Sequence, residues 1–208
     1  MSLSGKISTE LPVHATAEKW FHIMTKKLHH IQHVAGKIHG AKLHQGDDWH
    51  VNDSVKHWTY TLGKYLYSLF LFIYFTKSKS EKFHHFVHIR SLIEFEVSIY
   101  LFSSYFCEKT DGKTVTCLET IESVDEEKKR IAFKLFGEAI DDKYKVFNIT
   151  FEAIEKDGGS AAVKWSIEYE KVSEEVHAPY GYLELYDHVT RDVDVHLLEG
   201  EKVSANKN

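Results

Sequence analysis

Apolar and polar residues alternate along much of the chain, and this period of two is typical of β-strands with one buried and one exposed face. The clearest run spans residues 163–169, where the apolar positions are Val163, Trp165, Ile167 and Tyr169. Turn-forming residues separate such runs. The pattern predicts seven strands, at residues 5–13, 37–44, 51–62, 114–124, 130–136, 144–154 and 161–172.

Two other segments carry apolar residues three and four positions apart, the spacing of an amphipathic helix. The first predicts a helix, broken in two, over residues 16–34, with Thr16 as its N-cap. The second predicts a long helix that starts near Pro179 and ends before Gly200, followed by a frayed polar tail at 201–208. The fold class expected from this order is α+β, with a curved antiparallel sheet wrapped around the terminal helix.

One segment departs from this pattern. Residues 64–109 hold 8 of the 13 Phe and 5 of the 11 Tyr but no Gly, Pro, Ala, Asp, Asn or Trp. Its longest uninterrupted apolar run, 65–75, has 11 residues, about half of the ~20 needed to cross a bilayer. We therefore expect no membrane span and treat 63–111 as an atypical aromatic-rich insertion within a single domain of residues 1–208.

The residue types in this insertion are those favoured by A/T-rich codons, which suggests the translation of a retained intron. Gly63-Lys64 can be encoded with a GT donor and Thr110-Asp111 with an AG acceptor. Splicing there replaces the 49 residues 63–111 by one Asp and leaves 160 residues. The join creates an Asp-Gly turn between two β-prone runs, a strong hairpin signal. A genuine aromatic insertion is the alternative.

The composition of the chain argues against some classes of function. The chain has 31 Asp plus Glu against 26 Lys plus Arg, so it lacks the basic surplus that nucleic acid binding uses. Two cysteines, Cys107 and Cys117, and a start without a secretory signal favour a cytoplasmic protein. We expect a monomer without cofactor or metal. His29/His33 and His84/His88 have helical spacing, but neither pair has a convincing third ligand, and we interpret His29/His33 as a solvated face.

The predicted sheet and terminal helix can enclose a pocket for a hydrophobic molecule. Large aromatic side chains share the apolar strand face, Tyr182 and Tyr186 face it from the helix, and Cys117 and Glu119 alternate inward on one strand. Plain core packing is the alternative for all of them. The candidate ligand-binding residues are Ile23, Trp58, Tyr60, Cys117, Glu119, Phe133, Phe147, Ile149, Phe151, Trp165, Tyr182, Tyr186 and Val189.

Four motifs, in this order, resemble the plant major latex protein branch of the birch pollen allergen superfamily, the pathogenesis-related class ten proteins. They begin at Gly5 (GKISTELPV), at Gly46 (GDDW, then SVKHWTY from Ser54), at Asp141 (DDKYKVF) and at Tyr182 (YLELYDHVTRDVDVHLL). The resemblance covers nearly all of the chain outside 63–111. It implies a helix-grip fold with seven strands, an internal cavity for hydrophobic metabolites or hormones, and roles in defence and stress response.

The chain also departs from that superfamily. Its glycine-rich loop is reduced to residues 45–50, with Gly46 as the one glycine, which makes phosphate binding there improbable. Some superfamily members are condensing enzymes with a pocket lysine, but Lys134 and Lys164 lie on the polar side of their strands and no inward lysine is found. We therefore expect a binding protein rather than an enzyme. The alternatives are an enzyme that uses Glu119 and a tyrosine as its acid–base pair, and a nonfunctional splice product.

Overall fold

The computed structural model of the chain describes residues 2–52, 54–63, 112–157 and 160–205. Within these residues the strands are β1 (Ser4–Val13), β2 (Ile38–Gln45), β3 (Val55–Leu62), β4 (Lys113–Asp125), β5 (Arg130–Phe136), β6 (Tyr144–Glu155) and β7 (Ala161–Lys171). They form one antiparallel sheet in the order β1-β7-β6-β5-β4-β3-β2. Successive strands from β2 to β7 are neighbours, and β1 closes the order beside β7. The predicted seven-stranded sheet is confirmed.

The third strand starts four residues later than predicted, because residues 46–52 and Ser54 belong to a loop. Gly46 has a φ of +94°, in the left-handed region that favours glycine. The Ser54 hydroxyl donates to the carbonyl oxygens of Asp48 and Val51 and ties the loop shut.

The helices are α1 (Ala17–Lys26), a 3₁₀ turn (Leu28–His30), α2 (Ile31–Val34), α3 (Glu138–Asp141) and α4 (Tyr180–Ala205). The Thr16 hydroxyl accepts a hydrogen bond from the Lys19 amide at 3.4 Å, as expected for an N-cap. The predicted end before Gly200 is wrong, because α4 continues to Ala205. One glycine inside a helix costs only about 1 kcal/mol, and its neighbours Glu199, Glu201 and Lys202 favour helix.

The core lies between the concave face of the sheet and the helices α1 and α4. Register places Phe151 opposite both Ile131 and Trp165, and Ile149 opposite Phe133. All five side chains are buried. The alternation seen in the sequence therefore builds one apolar face, against which α4 lies.

The chain divides into two compact units, residues 1–62 with 114–208, and residues 63–113. The sheet and α1 to α4 belong to the first unit, apart from one residue at the start of β4. The aromatic segment falls on residues 64–111, outside the described residues, and so do Cys107 and the His84/His88 pair.

Candidate functional site

A cavity lies between the apolar face of the sheet and the helices. It has a volume of about 60 Å³, enough for a few water molecules. Its fifteen lining residues are Met24, Leu28, Ile31, Ile38, Trp58, Tyr60, Cys117, Glu119, Phe133, Leu135, Ile149, Trp165, Leu185, Tyr186 and Val189. Ile38, Glu119 and Tyr186 are half-buried and the others are buried. Glu119 is the one lining residue that carries a full charge when ionised at neutral pH.

The Glu119 carboxyl is poorly satisfied. Although the residue is half-buried overall, its Oε1 atom is sealed from solvent and has no hydrogen-bond partner among the described residues. The Trp58 indole Nε1, on the neighbouring strand β3, is likewise buried without a partner. The two groups are close enough for the indole to lower the pKa of Glu119, but they do not meet hydrogen-bond geometry.

A buried lysine on β3 interacts electrostatically with this carboxyl. Lys56 has no accessible surface, and its Nζ donates to the carbonyl oxygens of Ser54 at 3.3 Å and Val51 at 3.5 Å. Burial lowers the pKa of Lys56, whereas the charges of Glu119 and Asp48 raise it. Burial raises the pKa of Glu119 to about 7, against the opposing effects of Lys56 and Trp58. Each charge thus lowers the cost of burying the other.

The tyrosine and thiol groups near the cavity are paired or inert. The hydroxyls of Tyr60 and Tyr182 are 3.0 Å apart and hydrogen-bonded. Burial raises the pKa of the Cys117 thiol to about 12, and the Tyr60 hydroxyl only partly offsets this. Cys117 is a free, buried thiol, which fits the expectation of a packing residue rather than a nucleophile.

Nine of the thirteen sequence-predicted residues line the cavity. The other four, Ile23, Phe147, Phe151 and Tyr182, are buried in the core and do not line it. Three of them take part in ring contacts. Phe151 packs on the lining residue Trp165, with ring centroids 5.1 Å apart, and Phe147 packs on Tyr182 at 4.8 Å. Within the lining, Trp165 stacks on Tyr186 at 4.4 Å, with the rings 11° from parallel.

Sequence reasoning found no inward lysine and so missed Lys56, which is buried although it does not line the cavity. The alternation Lys56, Trp58, Tyr60 on β3 carried the signal, since all three positions are buried. Lys134 is exposed and Lys164 half-buried, as their registers indicated. The helical lining residues Met24, Leu28 and Ile31 were also missed, although their spacing of four and three places them on one helical face.

The interpretation of His29 as part of a solvated face is also wrong. His33 is exposed, but the His29 ring packs 5.7 Å from Trp49 and 5.9 Å from His50 between centroids. His29 Nδ1 and His50 Nε2 are buried without partners among the described residues. Burial, and then the nearby His30, His50 and His33, lower the pKa of His29. Trp49 also contacts Trp58, so this cluster backs one cavity wall.

Two absences apply to the described part of the chain alone. There, no group of three or more His, Cys, Asp or Glu side chains is arranged to hold a metal ion. No helix in the same residues is long and apolar enough to span a membrane.

Comparison with known proteins identifies the family. The profile of the Pathogenesis-related protein Bet v 1 family matches residues 2–67 and 97–200. MLP-like protein 43 of Arabidopsis thaliana is 31% identical over 202 residues, covering 96% of this chain and 97% of that protein.

Solved structures agree on the fold. Major latex-like protein 151 from Panax ginseng has a TM-score of 0.67 at 22% identity and covers 95% of this chain and 99% of its own. A norcoclaurine synthase from Thalictrum has a TM-score of 0.57 at 15% identity, with 97% and 98% covered. The chain therefore belongs to the Pathogenesis-related protein Bet v 1 family, with a helix-grip fold and major latex protein-like relatives.

Proposed function

We propose that the protein is an intracellular binding protein for hydrophobic small molecules, such as plant metabolites, lipids or hormones, and that it acts in defence or stress response. The observation that carries this proposal is the cavity between sheet and helices, whose lining is apolar and aromatic apart from Glu119. Membership of the family supports a ligand-binding fold. A free thiol at Cys117 accords with a reducing compartment.

A ligand of ordinary size requires the cavity to enlarge, since pockets for drug-sized molecules measure roughly 300–1,000 Å³. Met24 is the lining side chain best suited to this, because an unbranched thioether changes rotamer easily. The half-buried Ile38 and Tyr186 are the next candidates to move. The proposed binding thus includes a rearrangement of the lining.

A fluorescence titration with 1-anilinonaphthalene-8-sulfonate tests the proposal. The full chain is compared with Val189→Phe, which fills the cavity from α4, and with Val195→Phe on the exposed side of the same helix, where Val195 is 56% exposed. We expect saturable binding that Val189→Phe weakens and Val195→Phe preserves, with folding of each variant checked by thermal melting. Equal binding by all three would show that the probe binds outside the cavity and would count against the proposal.

A second candidate is an enzyme with Glu119 as its general acid or base. It is favoured by the pKa of about 7, which suits proton transfer at neutral pH. Mass spectrometry of a plant metabolite extract incubated with the wild type and with Glu119→Gln separates the two. Conversion that needs Glu119 would establish an enzyme, and recovery of unchanged bound compounds supports the carrier.

A further inference from the structure

Two residues that line the cavity, Glu119 and Trp58, each have a buried polar atom without a hydrogen-bond partner among the described residues. One atom is an acceptor and the other a donor, so together they favour particular ligand groups. The Glu119 carboxylate accepts and the Trp58 indole N–H donates, and both atoms are buried without partners among the described residues. Leaving such buried groups unsatisfied is unfavourable, because neither water nor protein replaces the hydrogen bonds they make in the unfolded chain. A group that accepts from the indole and donates to the carboxylate would satisfy both.

Two other polar pairs near the cavity are already satisfied. The Tyr60 and Tyr182 hydroxyls bond each other at 3.0 Å, and the Trp165 indole donates to Thr190 Oγ1 at 3.0 Å. The Glu119–Trp58 corner, by contrast, is a place where a polar ligand group gains hydrogen bonds.

The charges of Lys56 and Glu119 limit which polar group of a ligand can bind at this corner. The buried Lys56 opposes Glu119, so the corner carries no net charge when both are ionised. An ammonium group would compete with Lys56, and a carboxylate would be repelled by Glu119. The Lys56 ammonium is already held by two carbonyl oxygens, those of Ser54 and Val51. A neutral group therefore fits best.

We propose that the ligand is a neutral alcohol or phenol, whose hydroxyl accepts from Trp58 Nε1 and donates to Glu119 while its hydrocarbon body lies against the apolar lining. This inference rests on the proposed binding function and specifies its ligand class. An ordered water molecule is the competing occupant of the same corner.

Four single-ring compounds test the inference: benzyl alcohol, toluene, benzylamine and benzoate. They share a single ring, so the cavity has to enlarge less than for a drug-sized molecule, and they differ in the group presented to Glu119 and Trp58. Dissociation constants of the full chain come from NMR titration at neutral pH. We expect benzyl alcohol to bind about tenfold more tightly than toluene, the gain expected of a satisfied buried pair, and more tightly than the two charged compounds.

Variants locate the effect. Glu119→Leu and Trp58→Phe should each bring the ratio of the benzyl alcohol and toluene constants close to one. Phe133→Leu, a lining change without a polar group, should alter both constants alike and preserve the ratio. The measured quantity is the ratio of the two dissociation constants. A variant that only loosens the cavity would weaken both ligands and leave this ratio unchanged.

Each contrary outcome is distinct. Equal binding of benzyl alcohol and toluene by the wild type would mean that a water molecule occupies the Glu119–Trp58 corner. It would overturn the proposed hydroxyl site but not the proposed binding function. Preference for benzylamine or benzoate would overturn the charge argument and with it the ligand class. Absence of saturable binding by all four would overturn both the proposed function and this inference.

Discussion

At the scale of single residues, Asp194 carries the most concentrated set of polar contacts in the described structure. From α4 its carboxylate accepts from the amides of His14 and Ala15 at 2.9 and 3.0 Å and from the Trp20 indole at 3.4 Å. Burial raises the pKa of Asp194, but the hydrogen bonds from Ala15, His14 and Trp20 outweigh it, so the pKa is lowered overall. This residue joins the terminal helix to the connection between β1 and α1.

Asp194→Ala should destabilise the fold by roughly 2–3 kcal/mol, because it leaves buried donors without an acceptor. Since the pKa is lowered on folding, this stabilisation is present above the unfolded value near 4 and is lost as pH falls through the folded value. Urea unfolding between pH 3 and 7 measures both effects. Asp187→Ala, which removes an exposed pair with Arg191, is the control and should cost less than about 1 kcal/mol. Equal losses would contradict the role of Asp194.

The electrostatic contact between Lys56 and Glu119 can be tested directly. Lys56→Met should raise the pKa of Glu119 above about 7, because the remaining carboxyl loses the positive charge that favours its ionised form. Carbon-detected NMR titration of the Glu119 carboxyl measures this shift. Lys134→Met, an exposed change on β5, should leave it unchanged. A Glu119 pKa unaffected by Lys56→Met would show that the two groups do not interact.

The positions of these residues were only partly predictable from the sequence. Alternation placed Cys117 and Glu119 on the inward face correctly, because a period of two decides which side of a strand a residue takes. The same rule places Lys56 inward, but lysine is usually exposed, and composition alone does not reveal the two carbonyl oxygens that hold it. Asp194 was missed because its donors lie about 180 residues away in the chain.

At the scale of elements, the loop between β2 and β3 packs against Trp58, one of the side chains that line the cavity. It holds Trp49, whose ring is 6.0 Å from that of Trp58, and His50, whose amide donates to Asp48 Oδ1 at 2.8 Å. Gly46 starts the loop with its φ of +94°. The loop thus connects the turn at Gly46 to the cavity lining through the contact of Trp49 with Trp58.

Gly46→Ala should destabilise the fold by about 1–2 kcal/mol, because the added Cβ needs an unfavourable φ and would lie 2.9 Å from Ser54 Cβ. Gly40→Ala on β2 is the matched control, since its Cβ would meet nothing within 4 Å and its φ is not positive. Thermal melts of both variants measure the difference. If Gly40→Ala proved the more damaging, the loop geometry would be wrong.

The contact between the 3₁₀ turn and this loop should depend on pH through His29. Its pKa is lowered by burial and by neighbouring histidines, so the folded state favours the neutral ring. The stabilisation is therefore present above the unfolded value near 6.5 and is lost as pH falls through the folded value. His29→Phe should lose less stability than the wild type between pH 7 and 5, measured by urea unfolding. A parallel loss in both proteins would contradict the shift.

At the scale of the whole molecule, the described sheet requires no long connection between β3 and β4. The two strands are neighbours in the sheet, although β3 ends at Leu62 and β4 begins at Lys113. Neighbouring antiparallel strands can be joined by a two-residue turn. This accords with the hypothesis that residues 63–111 replace a single Asp of a shorter chain.

The 160-residue chain, with Asp in place of residues 63–111, should fold and bind 1-anilinonaphthalene-8-sulfonate, because an Asp-Gly turn can join β3 to β4. Soluble yield, circular dichroism and probe titration, measured beside the 208-residue chain, check this. Failure of the shorter chain alone would mark the segment as a genuine part of the protein. Amplification of the transcript across the junction provides an independent check, since the hypothesis requires a spliced form.

The architecture was more predictable than the cavity. Periodicity gave the seven strands, the broken first helix and the terminal helix, because each depends on local spacing. The cavity depends on which aromatic side chains line it and which are buried in the surrounding core. Phe147 and Phe151 occupy the same strand face as Ile149, yet only Ile149 lines the cavity. Phe147 packs on Tyr182 of α4 and Phe151 on Trp20 of α1, and alternation along the strand does not encode these contacts.

The most direct test of the central claim is a titration of the full chain, with isoleucine methyl groups labelled, against benzyl alcohol and 1-anilinonaphthalene-8-sulfonate. Ile31, Ile38 and Ile149 line the cavity, whereas Ile131 and Ile167 are buried in the core away from it. If the protein binds hydrophobic molecules in this cavity, the methyl signals of the first three shift saturably and those of the last two stay nearly constant. Shifts confined to other residues, or none at all, would contradict the account.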